Sequence, residues 1–232
     1  MQTWHRGVVE VRWLAGALWL RHPGGGLLVD APGGVHVHLE AAGLADKLTT
    51  LVVSTDRLRA LGGLLDLWDA VARARGPHPP LHVLHPLDTE RVAVVADAWS
   101  RGWGDDLALD LDGLRPGEHA RTPCGVDVHL VELPLGEVGP AGAVRRARGC
   151  GLRLEVAGVT VAWVPATRAG SAARSLCAGA DLAVLEVARR AWPGSDRPWR
   201  MLPEEAMRLA EGAHTAWLVG DDGTSLLDDP VH

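Results

Sequence analysis

Residues 51–65, which read LVVSTDRLRALGGLL, are the stretch around which the rest of the chain is organised. Leu51–Ser54 is a short apolar run, which is typical of a buried strand. A polar turn follows it. After Gly62-Gly63, residues 64–75 carry apolar side chains at helical spacing. The stretch therefore predicts a strand, a tight turn and a helix in direct succession.

The segments on either side continue this alternation of strands and helices. Residues 134–151, which are rich in Gly and Arg and show no periodicity, are predicted to form a surface loop. The order of the elements predicts an α/β fold with two sheets packed face to face and helices outside, a four-layer αββα sandwich in one domain over 1–232. Strands are predicted at 8–14, 18–22, 27–30, 51–54, 81–84, 126–133, 152–156, 159–164, 181–187 and 216–219, and helices at 35–42, 64–75, 90–100, 172–178 and 203–211.

The charge and hydropathy of the chain argue against two classes of function. The net charge of −6 and the pI near 6.0 argue against a general nucleic-acid-binding protein, because such binding depends on Lys and Arg neutralising phosphates. No run is long and apolar enough to span a bilayer, and the N-terminus does not resemble a secretion leader. We therefore expect a cytoplasmic protein with no nucleic-acid or membrane partner.

The amino-acid usage indicates a GC-rich genome. Phe, Tyr, Ile and Asn are absent, whereas the chain contains 10 Trp residues. Trp must therefore supply all the aromatic area of the core. The cysteines Cys124, Cys150 and Cys177 are odd in number and widely spaced, so we predict buried free thiols and neither a disulfide framework nor a zinc ribbon.

Several segments, taken in order, carry a resemblance to a known family. Residues 25–34 (GGLLVDAPGG) form a strand that ends in Asp before a loop of small residues, and residues 151–167 (GLRLEVAGVTVAWVPAT) form a hairpin. Together with residues 51–65 they resemble the metallo-β-lactamase fold superfamily, in its ribonuclease Z-like branch. The resemblance spans nearly the whole chain and implies the αββα sandwich. Further matching segments are 178–188, 203–206 and 216–220.

The same resemblance implies a metal site, whose ligands this chain lacks. Members of the superfamily hold one or two metal ions through His and carboxylate side chains, which activates a bound water. Alignment on the Gly-Gly pair places Thr55, Arg57, Arg59 and Ala60 at the His, His, Asp and His of the HxHxDH motif. Two arginines repel a divalent cation, so we predict a degenerate member with no metal, no cofactor and no catalytic residue. The other ligand positions fall on Leu135, Ala166, Leu185, Arg200 and Gly220.

The cleft that the metal would occupy contains the candidate binding residues. In one interpretation Arg57 and Arg59 replace the charge of the metal and bind a phosphate or carboxylate through their guanidinium groups. In the other, which we favour, Asp56 and the two arginines form internal salt bridges that fill the cleft. The candidate residues are Asp30, Thr55, Asp56, Arg57, Arg59, Thr167, Arg168 and Asp221.

Histidine pairs and one further carboxylate give weaker signals. His36 and His38 lie two residues apart on a predicted helix, where their side chains diverge. His82 and His85 flank the end of a predicted strand, and an i, i+3 pair on a strand points to opposite faces. Neither pair is therefore expected to share a metal. Glu186 is expected to be a hydrogen-bonded structural acid.

Three hypotheses about function stay open. The favoured one is a catalytically inactive protein that binds itself, as a homodimer, or an active paralogue, because the scaffold is kept while the ligands are lost. The second is binding of an anionic small molecule in the former metal cleft. The third is hydrolysis by a metal-independent route or by a metal relocated to histidines outside the motif. The fold alone does not decide among them.

Overall fold

The computed structural model describes residues 2–77, 79–138, 144–147, 149–187 and 201–220. The predicted cleft residue Asp221, and Arg200 at one of the ligand positions, lie outside these ranges. Within them the chain forms two mixed sheets, one separate hairpin and helices on both outer sides.

The first sheet has seven strands whose order in the sheet follows the chain. They are β1 (Thr3–Arg6), β2 (Val9–Leu14), β3 (Ala17–His22), β4 (Gly25–Val29), β5 (Leu48–Val52), β6 (Leu81–Pro86) and β7 (Leu109–Leu114). The first four pair antiparallel, and β4 to β7 pair parallel. Parallel neighbours place their carboxyl ends at the same edge of the sheet, and this edge carries the candidate site.

The second sheet has six strands, with the last two along the chain parallel to their neighbours. They are β8 (His119–Arg121), β9 (Asp127–Glu132), β12 (Cys150–Val156), β13 (Val159–Val164), β14 (Leu182–Val187) and β15 (Ala216–Gly220). The order across the sheet is β15-β14-β13-β12-β9-β8. The predicted hairpin over 152–164 is confirmed, and it turns at Ala157 and Gly158, both of which have positive φ.

A separate antiparallel hairpin lies between β9 and β12 along the chain. Its strands are β10 (Leu135–Val138) and β11 (Val144–Ala147). The prediction of a loop without regular structure over 134–151 is therefore wrong in part. These strands are too short to display hydrophobic alternation, so only their cross-strand pairing reveals them.

The helices cover the outer face of each sheet. They are α1 (Val35–Ala41), α2 (Leu58–Leu61), α3 (Leu64–Arg75), α4 (Glu90–Trp103), α5 (Ser171–Cys177) and α6 (Pro203–Ala210). Gly43 follows α1 with φ +62°, a left-handed conformation that favours glycine after a helix end. At the start of α6, the Glu205 carboxylate accepts a hydrogen bond from the Leu202 backbone N–H at 2.9 Å. None of these helices combines the length and hydropathy needed to cross a bilayer.

The buried apolar residues form three clusters that correspond to the three layer boundaries. One lies between the two sheets, where the Trp13 and Trp163 rings meet with centroids 5.5 Å apart. The second lies between the first sheet and α1, α3 and α4, and it buries Trp19 and Trp68. The third lies between the second sheet and α5 and α6. The predicted four-layer αββα sandwich is therefore confirmed.

Candidate functional site

The candidate site is a small cleft beyond the carboxyl ends of β4 and β5, on the side that faces β13 and β14. Its volume is about 30 Å³, which is on the scale of one or two water molecules. Four of its lining residues are those aligned with the superfamily's metal motif. These four residues therefore line one cleft together. The aligned residues are Thr55, Arg57, Arg59 and Ala60, and the carboxylates of the lining are Asp30 and Glu186.

Asp30 is a buried carboxylate directly after β4. Its backbone has φ +63°, a left-handed conformation that Asp tolerates better than most residues. Its two carboxylate oxygens accept hydrogen bonds from the Ser54 backbone N–H and from the Ser54 hydroxyl, each at 2.7 Å. Burial raises the pKa of Asp30 to about 7. The Ser54 hydrogen bonds and the Arg57 charge act against this rise in pKa, and the Glu186 charge adds to it.

Arg59 crosses the cleft to a carboxylate of the second sheet. Its guanidinium donates to one Glu186 oxygen at 2.6 Å, and the other Glu186 oxygen accepts from the Ala166 backbone N–H at 2.9 Å. The Glu186 side chain is only 10% exposed, whereas that of Arg59 is 38% exposed. Glu186 thus has the hydrogen-bonded structural role expected from the sequence.

Arg57 also links the two sheets, and its side chain lies deeper in the cleft than that of Arg59. Its Nη2 donates to the Ala166 carbonyl at 2.7 Å, and the residue is only 9% exposed. The Ala166 peptide unit therefore donates its N–H to Glu186 and accepts a hydrogen bond at its carbonyl from Arg57. In the alignment with the family that the sequence resembles, Ala166 occupies the position of a metal-bridging Asp.

The remaining candidate residues lie beside the cleft. The Asp56 backbone carbonyl accepts from Arg91 at 2.7 Å, and its carboxylate Oδ1 is buried without a hydrogen-bond partner among the described residues. Thr167 donates its hydroxyl to the Pro134 carbonyl at 2.9 Å. Neither of these residues, nor Arg168, is among the cleft's lining residues in the described part of the chain. Among the ion pairs of the described residues, Arg59 takes part in one, whereas the salt bridge predicted for Asp56 is not present.

A close approach of two backbone segments fixes the arginine-bearing loop. The Gly63 N–H donates to the Ala31 carbonyl at 2.8 Å, and the Ala31 N–H donates to the Ala60 carbonyl at 2.7 Å. A Cβ on Gly63 would lie 2.4 Å from the Pro32 carbonyl oxygen. Glycine at this position therefore lets the loop after β5 pack against the loop after β4, which brings Arg57 and Arg59 to the cleft.

The donor set does not fit the metal site that the superfamily implies. Leu135 and Leu185, at two further ligand positions, are fully buried among apolar residues of the second sheet. No group of three His, Cys, Asp or Glu residues in the described ranges is placed to hold a metal ion. Hydroxyl, guanidinium and alkyl groups do not replace the imidazoles and carboxylates that Zn²⁺ requires.

The two histidine pairs singled out in the sequence are not among the described residues that line the cleft. His36 and His38 lie on α1, where His36 is half-buried and His38 exposed. His82 and His85 are both buried in β6. His85 Nδ1 lies 2.9 Å from the Thr89 hydroxyl and 3.0 Å from the Pro86 carbonyl, so its ring fixes the turn before α4.

Comparison of the sequence with models of protein families gives no match. Comparison with curated protein sequences gives none either. We therefore compared this chain with known proteins at the level of three-dimensional structure.

Comparison with solved structures gives clear matches. The metallo-β-lactamase fold protein YhfI from Bacillus subtilis superposes with a TM-score of 0.69 at 17% identity, covering 88% of this chain and 78% of that one. The short form of human tRNase Z gives 0.68 at 16% identity, with 94% and 92% covered. A diphosphatase from the PhnP family gives 0.65 at 15% identity, with 94% and 82% covered. This chain therefore has the metallo-β-lactamase fold, and its structural neighbours include the ribonuclease Z-like branch.

Proposed function

We propose that this chain is a metal-free, catalytically inactive protein of the metallo-β-lactamase fold that acts by binding a partner, either a second copy of itself or an active paralogue. One observation carries the proposal. The two arginines at metal-motif positions are engaged with the protein itself, Arg59 with Glu186 at 2.6 Å and Arg57 with the Ala166 carbonyl at 2.7 Å.

This arrangement opposes metal binding on electrostatic grounds. Two guanidinium groups carry fixed positive charge, because arginine stays protonated at any physiological pH. A divalent cation entering the cleft would meet that charge and would compete with Arg59 for the Glu186 carboxylate. It would also have to displace the existing hydrogen bonds of Glu186. The same contacts join loops of both sheets, so the arginine network supports a scaffold that no longer depends on metal.

Inactivity is tested with a generic substrate. Hydrolysis of bis(p-nitrophenyl) phosphate is measured with purified protein, without metal and with added Zn²⁺ or Mn²⁺. We expect rates equal to those of buffer containing the same metal. A metal-dependent rate that is abolished by Asp30→Ala and kept by the exposed-site variant Asp110→Ala would contradict the proposal.

Self-association is tested separately by size-exclusion chromatography with light scattering over a range of protein concentrations. A concentration-dependent or stable dimer supports the homodimer. A monomer at every concentration contradicts self-association and leaves the paralogue as the proposed partner, which co-purification with a tagged candidate then tests.

A second candidate function is the binding of a small anion at the cleft mouth. The partial exposure of Arg59 favours it, because an exposed guanidinium edge can still donate to a phosphate or carboxylate. Thermal-shift measurements with inorganic phosphate and nucleotides test it. We expect stabilisation that Arg59→Ala removes and Arg121→Ala, at an exposed site on β8, retains. Absence of any shift with these anions would rule this candidate out.

A further inference from the structure

Two histidines meet on the outer face of the second sheet, outside the cleft. His119 on the edge strand β8 lies directly opposite His129 on β9. Their rings are stacked, with centroids 5.1 Å apart and an angle of 24° between the ring planes. The arginine network of the cleft involves neither residue.

The backbone register explains why the rings are so close. Hydrogen bonds from the Thr122 N–H to the Val126 carbonyl and from the Leu130 N–H to the Glu118 carbonyl place His119 and His129 at a non-hydrogen-bonded pair. Side chains approach most closely at such pairs. Both rings are accessible, since His119 is exposed and the His129 side chain is 40% exposed.

A carboxylate lies next to this pair. Glu155 on β12 places Oε2 3.9 Å from His129 Nε2, while its Oε1 accepts from Arg153 Nε at 2.8 Å. At this distance the carboxylate makes no direct hydrogen bond to the imidazole, but its negative charge favours a cation bound beside the ring. The two rings are stacked in this structure, so binding one ion would require a change of side-chain rotamer, for which exposed side chains have room.

We propose that His119 and His129 form a binding site for a divalent transition-metal ion of the Zn²⁺, Ni²⁺ or Cu²⁺ class. The two neutral imidazoles supply the protein ligands, and water completes the coordination. Two ligands suffice for this site, so it is compatible with the lack of three-donor groups in the described ranges. It is also independent of the proposed metal-free cleft, because its residues lie on the opposite face of the second sheet from the layer between the sheets.

Metal binding here would stabilise the edge strand of the second sheet. The strand β8 is only three residues long and pairs on one side, with β9. An ion bridging the two strands favours the folded state by mass action, because the unfolded chain does not hold the imidazoles together. The competing explanation is a cross-strand aromatic contact that stabilises the edge without any ion.

Calorimetric titration of the full chain with NiCl₂ and with ZnSO₄ distinguishes these explanations. We expect saturable binding of one ion per chain. The affinity should fall in His119→Gln and in His129→Gln by at least the roughly 10–100-fold that the loss of an outer-shell partner costs. His38→Gln, an exposed histidine on α1, serves as the matched control and should bind unchanged. Thermal melts without metal verify that each variant is folded.

Two outcomes would overturn the proposal. One is the absence of saturable binding to the unaltered chain. The other is undiminished binding to the folded His119→Gln/His129→Gln double variant, which would place the ion elsewhere. A cleft ion would additionally contradict the metal-free function, whereas an ion lost in the double variant would leave that function intact, so the two failures are distinguishable.

Discussion

Asp30 makes the free energy of unfolding depend on pH. Its pKa is raised from 3.8 to about 7 in the folded chain, so the folded state binds the proton more tightly than the unfolded state does. This contribution to stability is fully present below about pH 4 and is lost as the pH rises to about 7. A rise of about three pKa units corresponds to on the order of 4 kcal/mol.

We therefore expect Asp30→Asn to flatten the decline in stability between about pH 4 and pH 7. The asparagine carries no charge, and its amide oxygen can still accept from the Ser54 backbone N–H. Urea unfolding at each pH measures the free energy of unfolding. Asp110→Asn, at an exposed aspartate, is the control and should preserve the pH dependence of the unaltered chain. Parallel curves for Asp30→Asn and the unaltered chain would contradict the assignment.

The Arg59–Glu186 ion pair is predicted to be coupled. Arg59→Ala leaves a nearly buried carboxylate without its charge partner, and we expect a loss of about 1–3 kcal/mol, less than for a fully buried pair because Arg59 is partly exposed. Glu186→Gln keeps an acceptor for the Ala166 N–H. The double variant should therefore lose less stability than the two single variants combined. Strict additivity in denaturant unfolding would show that the pair contributes nothing.

The alignment on the glycine pair identified some of the residues that line the cleft, but it did not reveal what they contact. Alignment on the glycine pair placed Thr55, Arg57 and Arg59 in one cleft, because a turn after a strand has little freedom. The partners Glu186 and Ala166 lie more than 100 residues away along the chain. Which acid pairs with which arginine depends on tertiary packing, so Asp56 was assigned a salt bridge that Glu186 makes instead.

The junction between α2 and α3 depends on Gly63. A Cβ there would lie 2.4 Å from the Pro32 carbonyl oxygen, so Gly63→Ala must push apart the loops that follow β4 and β5. We expect a loss of about 1–3 kcal/mol or more, as for an overpacked core position. Gly33→Ala is the matched control, because its Cβ would meet nothing within 4 Å. Equal unfolding midpoints for the two variants would contradict this account of the junction.

At the scale of elements, buried periodic segments were predictable and exposed or short ones were not. The apolar face of Leu64–Arg75 was enough to predict α3. The Ala157-Gly158 turn was likewise enough to predict the β12–β13 hairpin. The strands β1, β7 and β8 were missed, and each of them is largely exposed. Edge strands like these owe their conformation to pairing with one neighbour, which leaves a weak hydrophobic signal.

At the scale of the whole molecule, this chain shares its backbone fold with known structures but has different side chains. A TM-score of 0.68 over 94% of the chain accompanies only 16% identity with the human tRNase Z structure, so the backbone layout is shared while the side chains differ. Layer packing tolerates such changes as long as the apolar faces stay matched. The shared fold therefore does not by itself determine the function of this chain.

Elemental analysis of the purified chain by mass spectrometry, after exposure to Zn²⁺, Fe²⁺ and Mn²⁺ and removal of unbound ions, tests the central claim of a metal-free cleft most directly. The His119→Gln/His129→Gln variant is the form to measure, because it lacks the proposed surface site. The account predicts far less than one metal ion per chain. A stoichiometric ion in that variant, released by substitution of Asp30 or Glu186, would contradict it.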